Sequence, residues 1–119
     1  MVVTLSGIPD AATVGAMTFT GVNQATPLGT FASGTGDATS GSVDVTSAAN
    51  ELVFATMVLE SSTDRDLVEG AGQTEWWDLF QTPATNGGGS TEAGAATVAM
   101  SWSWSGADKW VIGGISIKP

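Results

Sequence analysis

The sequence predicts an all-β protein: an antiparallel, jelly-roll-like β-sandwich of about seven or eight short strands, in one domain spanning residues 1–119. Three observations favour this class. Apolar residues alternate with small polar ones over short stretches, which is the period of a half-buried strand. Glycine-rich segments separate those stretches, as turns do. The long charged residues that favour helices are scarce, while Gly, Ala, Ser and Thr dominate.

The last part of the chain, Gly94 to Pro119, carries the clearest pattern and predicts a β-hairpin. In its first run apolar residues occupy every second position and small residues occupy the positions between them. The apolar residues are Val98, Met100, Trp102 and Trp104. The second run, Lys109 to Lys118, is denser and indicates a central or bulged strand. We expect the tip at Ser105-Gly106-Ala107-Asp108.

The first half of the chain predicts short strands joined by long connections. Val2 to Ser6 could form a first strand, followed by a turn at Gly7-Ile8-Pro9-Asp10. Val14 to Val22 alternates and predicts a strand. Gly29 to Ser42 contains four glycines among Ser and Thr and predicts a long mobile connection. Val43 and Val45 mark a short strand.

The middle of the chain predicts three further strands. Glu51 to Ser61 is apolar on both parities; its β-branched content favours a central strand, with a helix as the alternative. A short strand at Leu67 to Glu69 precedes another strand at Thr74 to Gln81. Thr82 to Ala93, with three successive glycines, predicts a flexible loop.

The charge balance argues against several partners. Twelve Asp and Glu residues face only three Lys and Arg residues, so the net charge is −9. Phosphate binding needs clustered Lys and Arg, so neither nucleic acid nor an anionic membrane surface is expected as a partner. The acidity is interpreted as an aid to solubility. No signal peptide and no membrane-spanning segment is predicted.

Several phrases resemble a family of β-sandwich domains in secreted and surface-displayed proteins of bacteria and phages. They are TFTGVNQATPLGT (Thr18 to Thr30), NELVFATMV (Asn50 to Val58), AGQTEWW (Ala71 to Trp77), GSTEAGAATVAMSWSWS (Gly89 to Ser105) and WVIGGISIKP (Trp110 to Pro119). The resemblance implies a jelly-roll-like fold, an extracellular or cell-surface location, and a role in adhesion or carbohydrate attachment. It implies no catalytic residue. Family members carry further strands ahead of the position of Val2, so we expect this chain to complete its sheets by pairing with another copy, as a homo-oligomer.

The tryptophans are the candidate ligand contacts. Trp76 and Trp77 are consecutive on a strand, so one ring is expected in the core and the other outside, where it can stack on a sugar ring. The alternative is that both are core or interface residues. Trp110 follows the hairpin tip and is expected at a rim. Trp102 and Trp104 are expected in the core.

Two acidic groups suggest other chemistry. Asp64 and Asp66, helped by Glu69 and Asp108, are candidate calcium ligands, although Arg65 between them favours local ion pairing instead. For glycoside hydrolysis the best local pair of carboxylates is Glu75 and Asp78. Because they are three residues apart, their side chains would face opposite sides of a regular strand. The absence of His and Cys excludes Ser-His-Asp and Cys-His catalysis.

The leading functional interpretation is a non-catalytic binding or adhesion module whose ligand is a carbohydrate or a surface protein. A structural module that only self-associates is the alternative. A carbohydrate-active hydrolase is the third.

Overall fold

The computed structural model describes residues 2–4, 6–7 and 11–119, and these residues form six antiparallel strands and no helix. The strands are β1 (Ala32–Thr46), β2 (Leu52–Glu60), β3 (Val68–Glu69), β4 (Thr74–Gln81), β5 (Thr85–Ala93) and β6 (Thr97–Ile117). Their order in the sheet is β1-β6-β2-β5-β4, and β3 pairs with β6. The all-β prediction is therefore confirmed, with six strands instead of seven or eight. A helix long and apolar enough to cross a bilayer is not found in this part of the chain.

The predicted C-terminal hairpin is wrong, because its two runs form the single 21-residue strand β6. Both runs pair with β1 and neither pairs with the other. Ala38 lies opposite Asp108 and Ser40 lies opposite Ser103, so residues 104–107 form an insertion in β6 and not a reversal. Gly106 has a φ of 82° in this insertion. A glycine with a positive φ occurs in bulges as well as in turns. The Ser-Gly-Ala-Asp pattern was therefore interpreted as a turn although it forms a bulge.

The glycine-rich segment before Val43 is the main part of β1 and not a mobile connection. The three glycines of this segment that lie in β1, Gly34, Gly36 and Gly41, lie near the indole of Trp110. A Cβ on Gly36 would approach that ring to 2.8 Å, and a Cβ on Gly41 would approach it to 2.7 Å. Real side-chain carbons do not come so close, so the missing side chains are what lets Trp110 pack on the strand.

The predicted loop at 82–93 is likewise a strand, β5, paired with β2 and β4. Gly88 faces the central core, where an added Cβ would lie 3.0 Å from Trp102. Gly89 faces the other side, where Trp77 occupies the space that a side chain would need. Gly88 and Gly89 therefore mark close packing of rings on both faces of this strand, and not a turn, while Gly87 lies against Thr13.

The predicted strand at 14–22 is wrong, because residues 11–22 pair with no strand. This segment instead lies over the sheet: Phe19 packs edge-on against Phe54 of β2, with ring centroids 6.3 Å apart. The predicted strand at 2–6 and turn at 7–10 include Leu5, Ile8, Pro9 and Asp10, which lie outside the described residues.

The core confirms the alternation seen in the sequence. Four residues of β2 face it, so the strand interpretation of that segment is right; they are Val53, Ala55, Met57 and Leu59. Met100, Trp102 and Trp104 of β6 are buried in the same cluster, as predicted. Trp102 lies close to Gly88, although β6 and β5 are not neighbours in the sheet. The sheet is therefore bent over its own core, with β1 and β6 following the bend together.

We expect Gly41→Ala to destabilise the fold by about 1–3 kcal/mol, because overpacking displaces a rigid ring that contacts the backbone. Urea unfolding followed by tryptophan fluorescence measures the change. Gly7→Ala is the control, since no atom of the described residues beyond its chain neighbours lies within 4 Å of the added carbon. Equal unfolding free energies for the two variants would contradict the packing role assigned to Gly41.

Candidate functional site

A β-bulge in β4 determines which side chains reach each face of the sheet. Glu75 pairs with Ser90 and Trp77 pairs with Gly89, so Trp76 is the extra residue between them. Paired residues in a ladder share a face. A bulge breaks the alternation of the strand that carries it and changes the direction of the side chain at that point.

Because of this bulge, Trp76 and Trp77 lie on the same face, and the prediction that one of them is in the central core is wrong. The ring of Trp77 covers Gly89 and lies 5.9 Å from that of Phe54. The Nε1–H of Trp76 donates to Oγ1 of Thr91, 2.8 Å away. Thr91 is two residues from Gly89 on β5, so its side chain projects from the same face.

Trp76 is the most exposed tryptophan, with 56% of its surface accessible. Its hydrogen bond to the buried Thr91 holds the ring edge while leaving much of the indole in solvent. Trp77 is half-buried, since Gly15 of the N-terminal segment lies over its ring. The two rings therefore differ in role: Trp77 fixes the N-terminal segment to the sheet, and Trp76 presents apolar surface.

Trp110 lies away from Trp76, in the bend between β1 and β6 and not at a hairpin tip. It is half-buried against the core, and its Nε1 is buried with no hydrogen-bond partner among the described residues. It also lines a cleft of about 340 Å³ together with four serines and Glu69; the serines are Ser40, Ser42, Ser101 and Ser103. β2 and β5 separate its strand from β4, so the structure does not bring the two predicted ligand contacts together.

The loop that holds Asp64 and Asp66 is fixed by Arg65, which pairs across the molecule and not with its neighbours. Its Nε donates to Oδ2 of Asp108 on β6 at 2.7 Å, and its backbone N–H donates to Oδ1 of the buried Asn86. Asp64 and Asp66 are exposed. No group of three or more acidic side chains among the described residues is arranged to hold a metal ion, so calcium stays a prediction without geometric support.

The same bulge places Glu75 and Asp78 on one face, which overturns the expectation that they point to opposite sides. They lie opposite Ser90 and Gly88, two residues apart on β5, a strand distance of about 7 Å. Burial raises the pKa of both carboxyls. Repulsion from Glu69 and Asp78 raises the pKa of Glu75 further. For Asp78 the hydrogen bond from the backbone N–H of Leu67 opposes the rise.

Sequence reasoning missed both Thr91, which holds the Trp76 indole, and the shared face of the two carboxyls. Both follow from the bulge, and the TEWWDLFQ segment contains no Gly or Pro to indicate one. The tryptophan pair was the available signal, and it did identify the strand that carries the exposed ring.

No protein-family model, curated protein or solved structure matches this chain. The resemblance to bacterial and phage β-sandwich domains therefore stays a prediction. What the coordinates define is an all-β protein with an exposed, hydrogen-bonded tryptophan on one face of an edge strand and paired carboxyls on the other.

We expect the pKa values of Glu75 and Asp78 to lie above their ordinary values of 4.5 and 3.8. A carboxyl with a raised folded-state pKa binds its proton more tightly when folded. Its contribution to stability is therefore complete below the unfolded-state pKa, and it is lost as the pH rises through the folded-state pKa. Carboxyl ¹³C NMR titration measures both groups directly.

In the same titration, Glu69→Gln should lower the pKa of Glu75 without restoring the ordinary value, because burial is the larger cause. Asp37→Asn, the same kind of change on the exposed strand β1, is the control and should leave Glu75 unaffected. An unshifted titration of Glu75 in the unmodified protein would refute this description of the acidic face.

Proposed function

We propose that this protein is a non-catalytic binding module that attaches to carbohydrate through Trp76. The observation that carries the proposal is the exposed indole, held at its Nε1 by Thr91. A flat, immobilised aromatic ring is a good platform for a sugar, because sugar CH groups meet the π face and displace water from it. Little side-chain entropy is lost on binding, since the ring is already fixed.

The surroundings of Trp76 favour neutral polysaccharides. Glu75 and Asp78 lie on the same strand, and the chain as a whole has a net charge of −9. An anionic glycan would be repelled at short and at long range. Leu79, 48% exposed and opposite Gly87 on the face that carries Trp77, adds apolar surface beside the ring.

The finer fold class that supports this proposal is a jelly-roll-like β-sandwich, a common scaffold for carbohydrate binding. A contact between residues that are far apart in the strand register favours it. A Cβ on Gly114 of β6 would lie 2.6 Å from Val45 of β1, whereas the strand partner of Gly114 is Ala32. Side chains from the two ends of β1 therefore meet in one core.

Self-association is the second candidate function, and one observation favours it. β1 is 15 residues long and lies at the end of the sheet, with β6 as its only strand partner among the described residues. A long unpaired strand edge is a template for another strand. The two functions are compatible, because Trp76 lies on β4 at the opposite end of the strand order.

We expect Trp76→Ala to weaken polysaccharide binding about tenfold or more, a loss of roughly 1.4 kcal/mol, without lowering Tm. The measurement is affinity electrophoresis in gels that contain β-glucan, xylan or galactomannan, with calorimetric melting alongside. Val111→Ala removes a comparably exposed apolar side chain elsewhere and should retain binding. Thr91→Val leaves the ring but removes its acceptor, so an intermediate loss is expected.

Trp77→Ala distinguishes the binding role of Trp76 from the structural role of Trp77. It should lower Tm, because the Trp77 ring packs on Phe54 and under Gly15. The absence of retardation on every polysaccharide, or full retention of binding by Trp76→Ala, would overturn the carbohydrate proposal.

The third candidate, a hydrolase, is favoured only by the shared face of Glu75 and Asp78, since glycoside hydrolysis needs two carboxyl groups that face one another. We expect binding without cleavage. A reducing-sugar assay on each retained polysaccharide measures this. Release of reducing ends that disappears in Glu75→Gln would replace the binding module with an enzyme.

A further inference from the structure

Residues 11–22 form a strap over the outer face of the sheet, which is the face that carries Trp76 and Trp77 and lies opposite the central core. Three residues of the strap contact this face, each against a different residue of the sheet. The contacts are Thr13 on Gly87, Gly15 on Trp77 and Phe19 on Phe54. The strap therefore crosses the outer face from β5 toward β2.

The strap is held more weakly than the strands beneath it. Among the described residues, no backbone hydrogen bond joins residues 11–22 to the sheet, and each of these residues keeps part of its surface in solvent. The first backbone bond follows the strap, where the N–H of Asn23 donates to the carbonyl oxygen of Lys118 at 2.9 Å. Segments with few buried contacts and unpaired backbone open locally at a small cost in free energy.

Gly21 gives the strap a place to pivot. It has a φ of 72° and lies two residues before the anchored Asn23. No described atom beyond its chain neighbours lies within 4 Å of a Cβ added there. A glycine in open space can change its backbone angles without a clash, so the strap can swing away while Asn23 stays attached.

The strap covers a flat aromatic surface with backbone alone. One side of the Trp77 indole packs on Gly89, and Gly15 lies over the ring from the strap. A Cβ on either glycine would overlap the indole, so both contacts depend on the missing side chains. Displacement of Gly15 would leave the outer side of the ring open.

Trp76 and Trp77 are neighbours along one line of the outer face. The indole of Trp76 is bonded to Thr91, and that of Trp77 covers Gly89. Thr91 and Gly89 are two residues apart on β5, a strand distance of about 7 Å. A polymer that stacks on Trp76 and continues along β5 therefore meets the strap at Gly15.

We propose that the binding surface of Trp76 continues beneath the strap, where a longer neutral polysaccharide displaces Gly15 and stacks on Trp77. A sugar ring takes the place of the Gly15 backbone, and its CH groups meet the indole face. A short oligosaccharide covers Trp76 alone and leaves the strap in place. The inference rests on the proposed carbohydrate-binding function and adds selectivity for the length of the chain.

A disulfide between the strap and the sheet tests this proposal. A Cβ on Gly87 would lie 3.4 Å from the Cβ of Thr13, close to the separation of about 3.5–4.5 Å found in disulfides. The chain has no other cysteine. In the Thr13→Cys/Gly87→Cys variant, oxidation fixes the strap and reduction releases it, so one protein supplies both the test and its control.

We expect the oxidised variant to bind cellohexaose or xylohexaose about threefold to tenfold more weakly than the reduced variant. The two forms should bind cellobiose or xylobiose equally well. NMR titration of the indole N–H signals measures both affinities and locates the contact. The hexasaccharide should shift the Trp76 and Trp77 signals of the reduced protein, whereas oxidation should leave only the shift of Trp76.

Phe19→Ala tests the strap without a disulfide. It removes the contact with Phe54 that displacement must break, so it should strengthen hexasaccharide binding. Val14→Ala is the matched control in the same strap, because Val14 is 58% exposed and its loss should leave the affinity unchanged.

The outcomes separate this inference from the proposed function. Equal hexasaccharide affinity in the oxidised and reduced forms, with no gain from Phe19→Ala, overturns the strap inference and leaves the Trp76 platform in place. Equal weakening for short and long probes also overturns it, since binding then does not depend on chain length. Failure of the unmodified protein to bind either probe or any polysaccharide overturns the proposed function and this inference with it.

Discussion

Tryptophan rings packed on glycine backbones are the constraint on which the rest of this structure depends. Trp110 lies on Gly36 and Gly41, Trp102 on Gly88, and Trp77 on Gly89. Glycine weakens a strand, because it loses more backbone entropy and offers no side chain to pack. The buried area of an indole offsets that cost. Trp110 joins β6 to β1, which are far apart along the chain, and Trp102 joins β6 to β5, which are not neighbours in the sheet. These two contacts hold the bent sheet together.

This dependence explains which parts of the fold were predictable. The alternation in β6 and the apolar run of β2 predicted strands correctly, because the pattern of apolar residues that a buried strand needs lies within the strand itself. The glycine-rich parts of β1 and β5 were interpreted as loops, because a strand glycine and a turn glycine look alike locally. The distinction lies in the tryptophan that covers the glycine, and that residue is distant in the sequence. The predicted strand at 14–22 failed for the opposite reason, since its alternating residues pack on the sheet without joining it.

The sequence predicted which residue carries the exposed ring, but it did not predict which side chains surround that ring. Composition and position identified Trp76 and Trp77, and their segment is a strand as expected. The bulge then placed both rings on one face and both nearby carboxyls on the other. A one-residue shift reverses the facing of every side chain that follows it, so parity arguments hold only up to the first irregularity. The partner that fixes Trp76, Thr91, comes from β5, a segment the sequence assigned to a loop.

The two ends of the sheet carry different chemistry, and the distribution of charge explains how both remain exposed. β4 combines an exposed ring with carboxyls whose pKa values are raised, whereas β1 carries mainly short side chains. A net charge of −9 repels other copies over the Debye length, about 8 Å at physiological ionic strength. Backbone pairing acts only at contact, and Lys109, which lies opposite Asp37 in the register, forms its ion pair with Glu60. Another copy or an anionic ligand must therefore overcome this repulsion before it can contact either end of the sheet.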